Sequence, residues 1–140
     1  MEVAQISIFL ENRTGGLADV FDVLARSEVD VKALSLADMS DFGILRLVVP
    51  DPERTWRTLK DAGFTVDKTR VVAVEVPDRA GGLLETLLVL KRAGINVEYM
   101  YSVARRSAER AVLIFRFDEI GRALEALRAA GITVLDRLDP

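Results

Sequence analysis

A chain of 140 residues, half of them apolar and 29% charged, has the composition of a folded protein and the length of one ordinary domain or two very small ones. It has neither cysteine nor histidine, which removes disulfides, thiolate nucleophiles, imidazole bases and the usual ligands of zinc, copper and iron; no calcium-loop pattern occurs either, so neither a metal nor a cofactor is expected. A net charge of −3 with a pI near 5.1 offers no field for phosphate backbones, and the greasiest stretch, Leu83–Leu90, is broken by Glu85 and Thr86, so nucleic acid and membrane are not expected partners.

The start of the chain lacks a basic region, an apolar stretch and a small-residue cleavage site, so export is not expected and the cytoplasm is the expected location. Ile6, Ile8 and Leu10 alternate with Gln5 and Ser7, which predicts a half-buried strand over Val3–Leu10. Leu17, Val20, Phe21 and Leu24 then follow at i, i+3, i+4 and i+7, one face of a helix that begins at the pair Gly15-Gly16. Val31–Ala37 and Gly43–Val49 read as an antiparallel pair around the polar turn Asp38–Asp41. Asp51 suits a helix N-cap and Pro52 the first helical position; Trp56 and Leu59 should face the sheet, Gly63 should end the helix, and Phe64–Lys68 should return as a fourth strand.

The chain then repeats itself. Asn12-Arg13-Thr14-Gly15-Gly16-Leu17 recurs 66 positions on as Asp78-Arg79-Ala80-Gly81-Gly82-Leu83, and Val29-Asp30-Val31 recurs as Ile95-Asn96-Val97. Leu59–Phe64 meets Leu127–Ile132 at an offset of 68, so two residues were added, and the polar segment Arg105–Arg110 reads as the enlarged hairpin turn. The expected architecture is α+β: two ferredoxin-like βαββαβ modules, residues 1–68 and 69–140, each an antiparallel sheet with its helices on one face, joined side by side without a flexible linker. Modules of this size bury only ~60% of their unfolded surface. The helix-free sheet face, apolar in the second half, is therefore expected to be covered, and a homodimer of the two-module chain is the expected cover.

The repeated loop is the site candidate. Gly15-Gly16 and Gly81-Gly82 at helix starts leave backbone N–H groups open to a carboxylate, although glycines there also serve a tight strand-to-helix turn. Arg13 and Arg79 read as carboxylate clamps or, more commonly for such residues, as solvated loop arginines.

The segment Glu11-Asn12-Arg13-Thr14-Gly15-Gly16-Leu17, followed by a helix and Val29-Asp30-Val31, resembles the ACT domain, especially the form in the regulatory end of phosphoglycerate dehydrogenase. Pro77-Asp78-Arg79-Ala80-Gly81-Gly82-Leu83 with Ala93-Gly94-Ile95-Asn96-Val97 resembles it again, so the likeness spans nearly the whole chain. The resemblance implies a regulatory module pair that binds a small molecule, an amino acid above all, across a shared interface. It also implies that a loop asparagine of one module and a strand-two asparagine of its neighbour hold the ligand. Here those positions carry Asn12 and Asn96, while the reciprocal ones carry Asp78 and Asp30. The expected site is accordingly Asn12, Arg13, Thr14, Gly15, Gly16 and Leu17 with Asn96 and Val97, whose neutral amides can satisfy both ends of a zwitterion. Asp78, Arg79, Gly81, Gly82 and Leu83 with Asp30 form the weaker second site, where two aspartates would repel a carboxylate, though Asp78 also suits bracing of its own turn. The family's histidine two residues before the loop asparagine is Leu10 here, which favours a ligand that tolerates an apolar wall.

Three rivals stand beside this reading. Catalysis would have to use carboxylates such as Asp22, Asp38, Asp41 and Glu98, or lysines and tyrosines, and no spacing sets a nucleophile against a base, so no enzyme activity is expected. RNA binding by an RRM-like sheet lacks its aromatic pattern and its charge; Val97, Tyr99, Tyr101 and Val103 alternate against Met100 and so should share one strand face, where packing explains the two tyrosines. A ligand-free scaffold subunit that assembles or regulates a metabolic enzyme would use an apolar sheet face equally well.

Overall fold

The computed structural model describes residues 3–39, 41–103 and 110–138. The enlarged turn expected within Arg105–Arg110 lies, apart from Arg110 itself, outside the described residues, as does Ser40 of the first turn. The elements run β1 (Val3–Glu11), α1 (Gly16–Arg26), β2 (Ala33–Met39), β3 (Phe42–Val48), α2 (Pro52–Asp61), β4 (Thr65–Pro77), α3 (Gly82–Arg92), β5 (Val97–Ser102), β6 (Arg110–Phe117), α4 (Ile120–Ala129) and β7 (Thr133–Leu135). Two compact units result, one of residues Ala4–Thr69 and one from Arg70 onward together with Val3. The last strand of one repeat and the first of the next are a single strand, β4, because no turn residue interrupts Thr65–Pro77.

In the first unit the strands lie in the order β2-β3-β1 with β4 adjoining β1; in the second the order is β5-β6-β4-β7. Both are the antiparallel split βαβ arrangement that the element order predicts. The period-two pattern does what it should: Ile6, Ile8 and Leu10 of β1 and Leu45 and Leu47 of β3 pack under Val20 and Leu24 of α1 and Leu59 of α2. The second core repeats this with Val72, Val74, Leu113, Phe115 and Phe117 under Leu90, Leu124 and Leu127.

Three details depart from the sequence expectation. Val97 was expected to share a face with Tyr99 and Tyr101, but the register shifts between Val97 and Tyr99, so Val97 pairs with Phe117 and packs on the core alongside Met100. A bulge inserts one extra residue and so reverses every side chain before it. Leu17, placed by periodicity on the core face of α1, is 40% exposed, whereas its equivalent Leu83 packs on the second core. Finally, the helix-free faces are not bare. Gln5, Ser7 and Val48 in the first unit and Val71, Ala73, Val112 and Ile114 in the second are buried, and the Gln5 amide donates to Ser7 Oγ at 3.1 Å. The apolar helix-free face of the second unit therefore no longer argues for a second copy. Of the exposed large apolar residues, Phe9 of β1 and Phe42 of β3 lie on the helix-free face of the first unit, whereas Leu34 and Leu36 of β2, whose partners Leu47 and Leu45 are buried, lie on the helix side.

The second helix shows how local chemistry sets an element. Asp51 accepts from the Arg54 N–H at 3.1 Å, Pro52 opens the helix, and Gly63 at φ 94° turns the chain out of it. Asp51→Ala should cost about 1 kcal/mol, read as a fall in denaturation midpoint with unchanged slope. The Trp56 ring is half-buried, donates to the Val66 carbonyl at 3.4 Å and has the Lys60 and Lys68 ammonium groups over it at 4.7 and 4.8 Å. Lys68 also donates to the Glu53 carboxylate, and this bond with its charge holds the Glu53 carboxyl below its ordinary range. A carboxyl whose folded pKa is depressed adds stability that is present above its unfolded pKa and is lost as pH falls through the folded value. Glu53→Gln should therefore flatten the acid limb of the stability curve and leave neutral-pH cooperativity intact, with Trp56, the sole tryptophan, as the fluorescent probe.

Candidate ligand site

The first repeated loop leaves β1 at Glu11, and the Asn12 N–H donates to the Asp41 carbonyl at 3.0 Å, tying the loop to the tip of the β2–β3 hairpin. Gly15 adopts φ 84°, a conformation open to glycine at little cost, and serves as the N-cap of α1 with no side-chain cap. The Gly16 N–H donates to the Arg13 carbonyl at 3.3 Å and the Asp19 N–H to the Gly15 carbonyl at 3.0 Å. In an α-helix the intervening N–H groups of Leu17 and Ala18 have no intrahelical acceptor.

Arg13 does not project freely for a ligand. Its guanidinium meets Asp19 Oδ2 at 3.0 Å, the Thr14 carbonyl at 3.3 Å and Glu11 Oε2 at 3.8 Å, which braces the loop against the first turn of α1. The second loop repeats the brace residue for residue: Gly81 has φ 83°, and Arg79 meets Glu85 Oε1 at 3.2 Å. Each guanidinium thus already meets a carboxylate, which a ligand held there would have to share.

Asn12, Arg13 and Leu17 line one concavity of about 220 Å³ together with Leu10, Leu36 and Asp38, where Glu11, Ala37 and Gly43 complete the wall. Apolar surface from three leucines thus meets an amide and a carboxylate in one place. Leu36 is 54% exposed there. Thr14 and Gly15 are exposed in the loop above the buried Gly16. Leu36 and Asp38 join this concavity without a local signal in the sequence, since their approach to the loop follows from the β1–β3–β2 pairing.

Asn96 and Val97 line a different concavity, of about 330 Å³, between the end of α3 and the start of β5, with Leu87, Leu90, Lys91 and Gly94. The Asn96 backbone is clasped by Asp118: its N–H donates to Asp118 Oδ1 at 3.1 Å and its carbonyl accepts from the Asp118 N–H at 3.3 Å. In the weaker candidate set, Asp30 is paired with Lys32 Nζ at 2.7 Å, while Asp78 is exposed and Leu83 is half-buried against the core. No helix among the described residues is long and apolar enough to cross a membrane.

Residues 1–137 match the family described as an ACT domain pair. The chain is 38% identical to a protein of Bacteroides thetaiotaomicron of known crystal structure, with a TM-score of 0.91 over 96% of this chain and 92% of that one. Its fold is also shared by the ligand-free regulatory subunit of aspartate kinase from Thermus thermophilus, at 18% identity and TM-score 0.68 over 94% of this chain and 92% of that one. The corresponding subunit from Thermus flavus gives 18% identity and TM-score 0.64 over 94% of each chain. The curated proteins include no match. The doubled loop, the doubled fold and the family match agree, and this chain belongs to the ACT domain pair family.

Proposed function

We propose that this ACT domain pair is a non-catalytic regulatory protein that binds a free amino acid at the loop following β1 and, as a homodimer, controls an enzyme of amino-acid metabolism. The observation that carries the reading is the concavity beside Asn12, where the exposed side chains of Leu17 and Leu36 stand next to an amide and the Asp38 carboxylate. A ligand with an apolar side chain would cover the leucines, worth about 25 cal/mol per Å². Its ammonium would find Asp38 and Asn12, and its carboxylate the open N–H groups at the start of α1. Asn96 would complete the site from a partnering module, whereas the Asp30 and Asp78 positions would hold no zwitterion. The regulatory role is supported by the fold shared with subunits that regulate aspartate kinase.

Thermal-shift screening of the twenty amino acids tests the ligand class, since a ligand at a hundred times its dissociation constant stabilises the folded state by ~2.7 kcal/mol. Calorimetric titration of the responding amino acid should then show binding weakened about tenfold or more in Asn12→Ala and in Asn96→Ala. Parent-like binding in both variants would remove the site assignment. The exposure of Leu34 and Leu36 along β2 favours a second reading, a scaffold subunit without ligand, and a screen flat across all twenty amino acids would select it.

A further inference from the structure

The two halves of the chain are copies, so each position of α1 is an internal control for its equivalent in α3. Both helices turn their buried residues inward, Val20 and Leu24 in α1 and Thr86 and Leu90 in α3. The outward stripe differs. In α1 it carries Ala18, Asp22 and Ala25, as a solvated helix should; in α3 the same positions carry Leu84, Leu88 and Lys91. Leu84 is 56% exposed, and Leu88 is half-buried without packing on the second core. A helix that is apolar on its outer side as well as its inner one is ordinarily covered on both.

The pattern of charges around that stripe indicates what covers it. Glu85 lies in the first turn of α3, and Lys91 and Arg92 lie in the last. If two copies of α3 pack antiparallel about a two-fold axis through Leu88, Leu88 meets its own counterpart. Glu85, which also meets Arg79 of its own chain, then falls opposite the partner subunit's Lys91, and Leu84 lies under the aliphatic stem of the partner subunit's Arg92. Apolar residues meet at the centre and opposite charges at both ends, so the surface complements itself. The same operation on α1 would set Asp22 against Asp22 and Asp19 against Ala25, which repels at the centre and pairs no charges. We infer that the outer face of α3 is a homodimer contact, formed by antiparallel packing of α3 on α3 of a second copy about Leu88. The inference deepens the homodimer of the proposed function and depends on no ligand.

Sedimentation velocity of the intact chain tests it. The parent should be a dimer, and Leu88→Asp, which installs the residue that α1 tolerates at the equivalent place, should raise the dimer dissociation constant about a hundredfold or more while leaving the circular dichroism unchanged. Because the chain contains no cysteine, Leu88→Cys gives a second, fold-preserving test: mild oxidation should yield a covalent dimer, and Leu36→Cys on β2 should not. A parent that sediments as a monomer would overturn the inference, as would a Leu88→Asp variant that remains dimeric or cross-linking through Leu36→Cys in place of Leu88→Cys. Amino-acid thermal shifts measured separately on the parent keep this outcome distinct from failure of the ligand reading.

Discussion

Gly82→Ala should lower the melting temperature by about 10 °C, while Gly16→Ala, the same change at the equivalent position, should leave it nearly unmoved. A methyl group on Gly82 would lie 2.1 Å from the Pro77 carbonyl oxygen and 3.1 Å from its carbon, far inside van der Waals contact and against backbone that cannot swing aside. The loop or the start of α3 must shift, at a cost of about 3 kcal/mol, and each kcal/mol is worth roughly 2–4 °C in a chain somewhat larger than this one. At Gly16 the nearest atoms are the Glu11 carbonyl oxygen at 3.4 Å and Arg13 Cγ at 3.7 Å, which is ordinary contact, and alanine suits a first helical turn better than glycine. Differential scanning calorimetry on the two variants decides the matter. Equal melting temperatures would mean that the second loop relaxes as freely as the first.

The second large effect is expected from Phe115→Ala. Phe115 is fully buried at the centre of β6 and stacks on Phe117, with ring centroids 5.3 Å apart and planes within 10°. Removing the ring takes away its transfer free energy, leaves a cavity and breaks the aromatic pair, about 3–5 kcal/mol in all. Domains of ordinary stability have only about 5–15 kcal/mol to lose, so the urea midpoint should fall by about a fifth at the least. Leu34→Ala on β2 removes a side chain that is already 53% exposed and should change the midpoint by no more than about 0.5 kcal/mol equivalent. A small effect at Phe115 would show that the second core is loosely packed around it.

Much of this architecture was legible before any coordinates. Alternation along β1, the cap at Asp51, the glycines at 15, 63 and 81 and the doubled loop motif are local signals, each written within a few residues, and the structure honours them. Arg13 and Arg79 were legible as a pair but their ion pairs were not, because Asp19 and Glu85 lie two residues beyond the motif, in the first helical turn, and meet them only once the loop closes. Leu17 was misplaced for a related reason. Periodicity assigns a residue to a helix face but does not say how far the sheet beneath extends, and at the first turn of α1 the cover is incomplete.

The sequence alone thus determined the type and order of the elements, their duplication and the family, since these rest on backbone preferences and on apolar spacing repeated within short windows. Tertiary structure alone decided two things: that a bulge turns Val97 to the core, and that Leu36 and Asp38 join Asn12 around one concavity. Each depends on which strand pairs with which and in what register. Register is set by contacts between residues tens of positions apart, and no window of neighbouring residues records them.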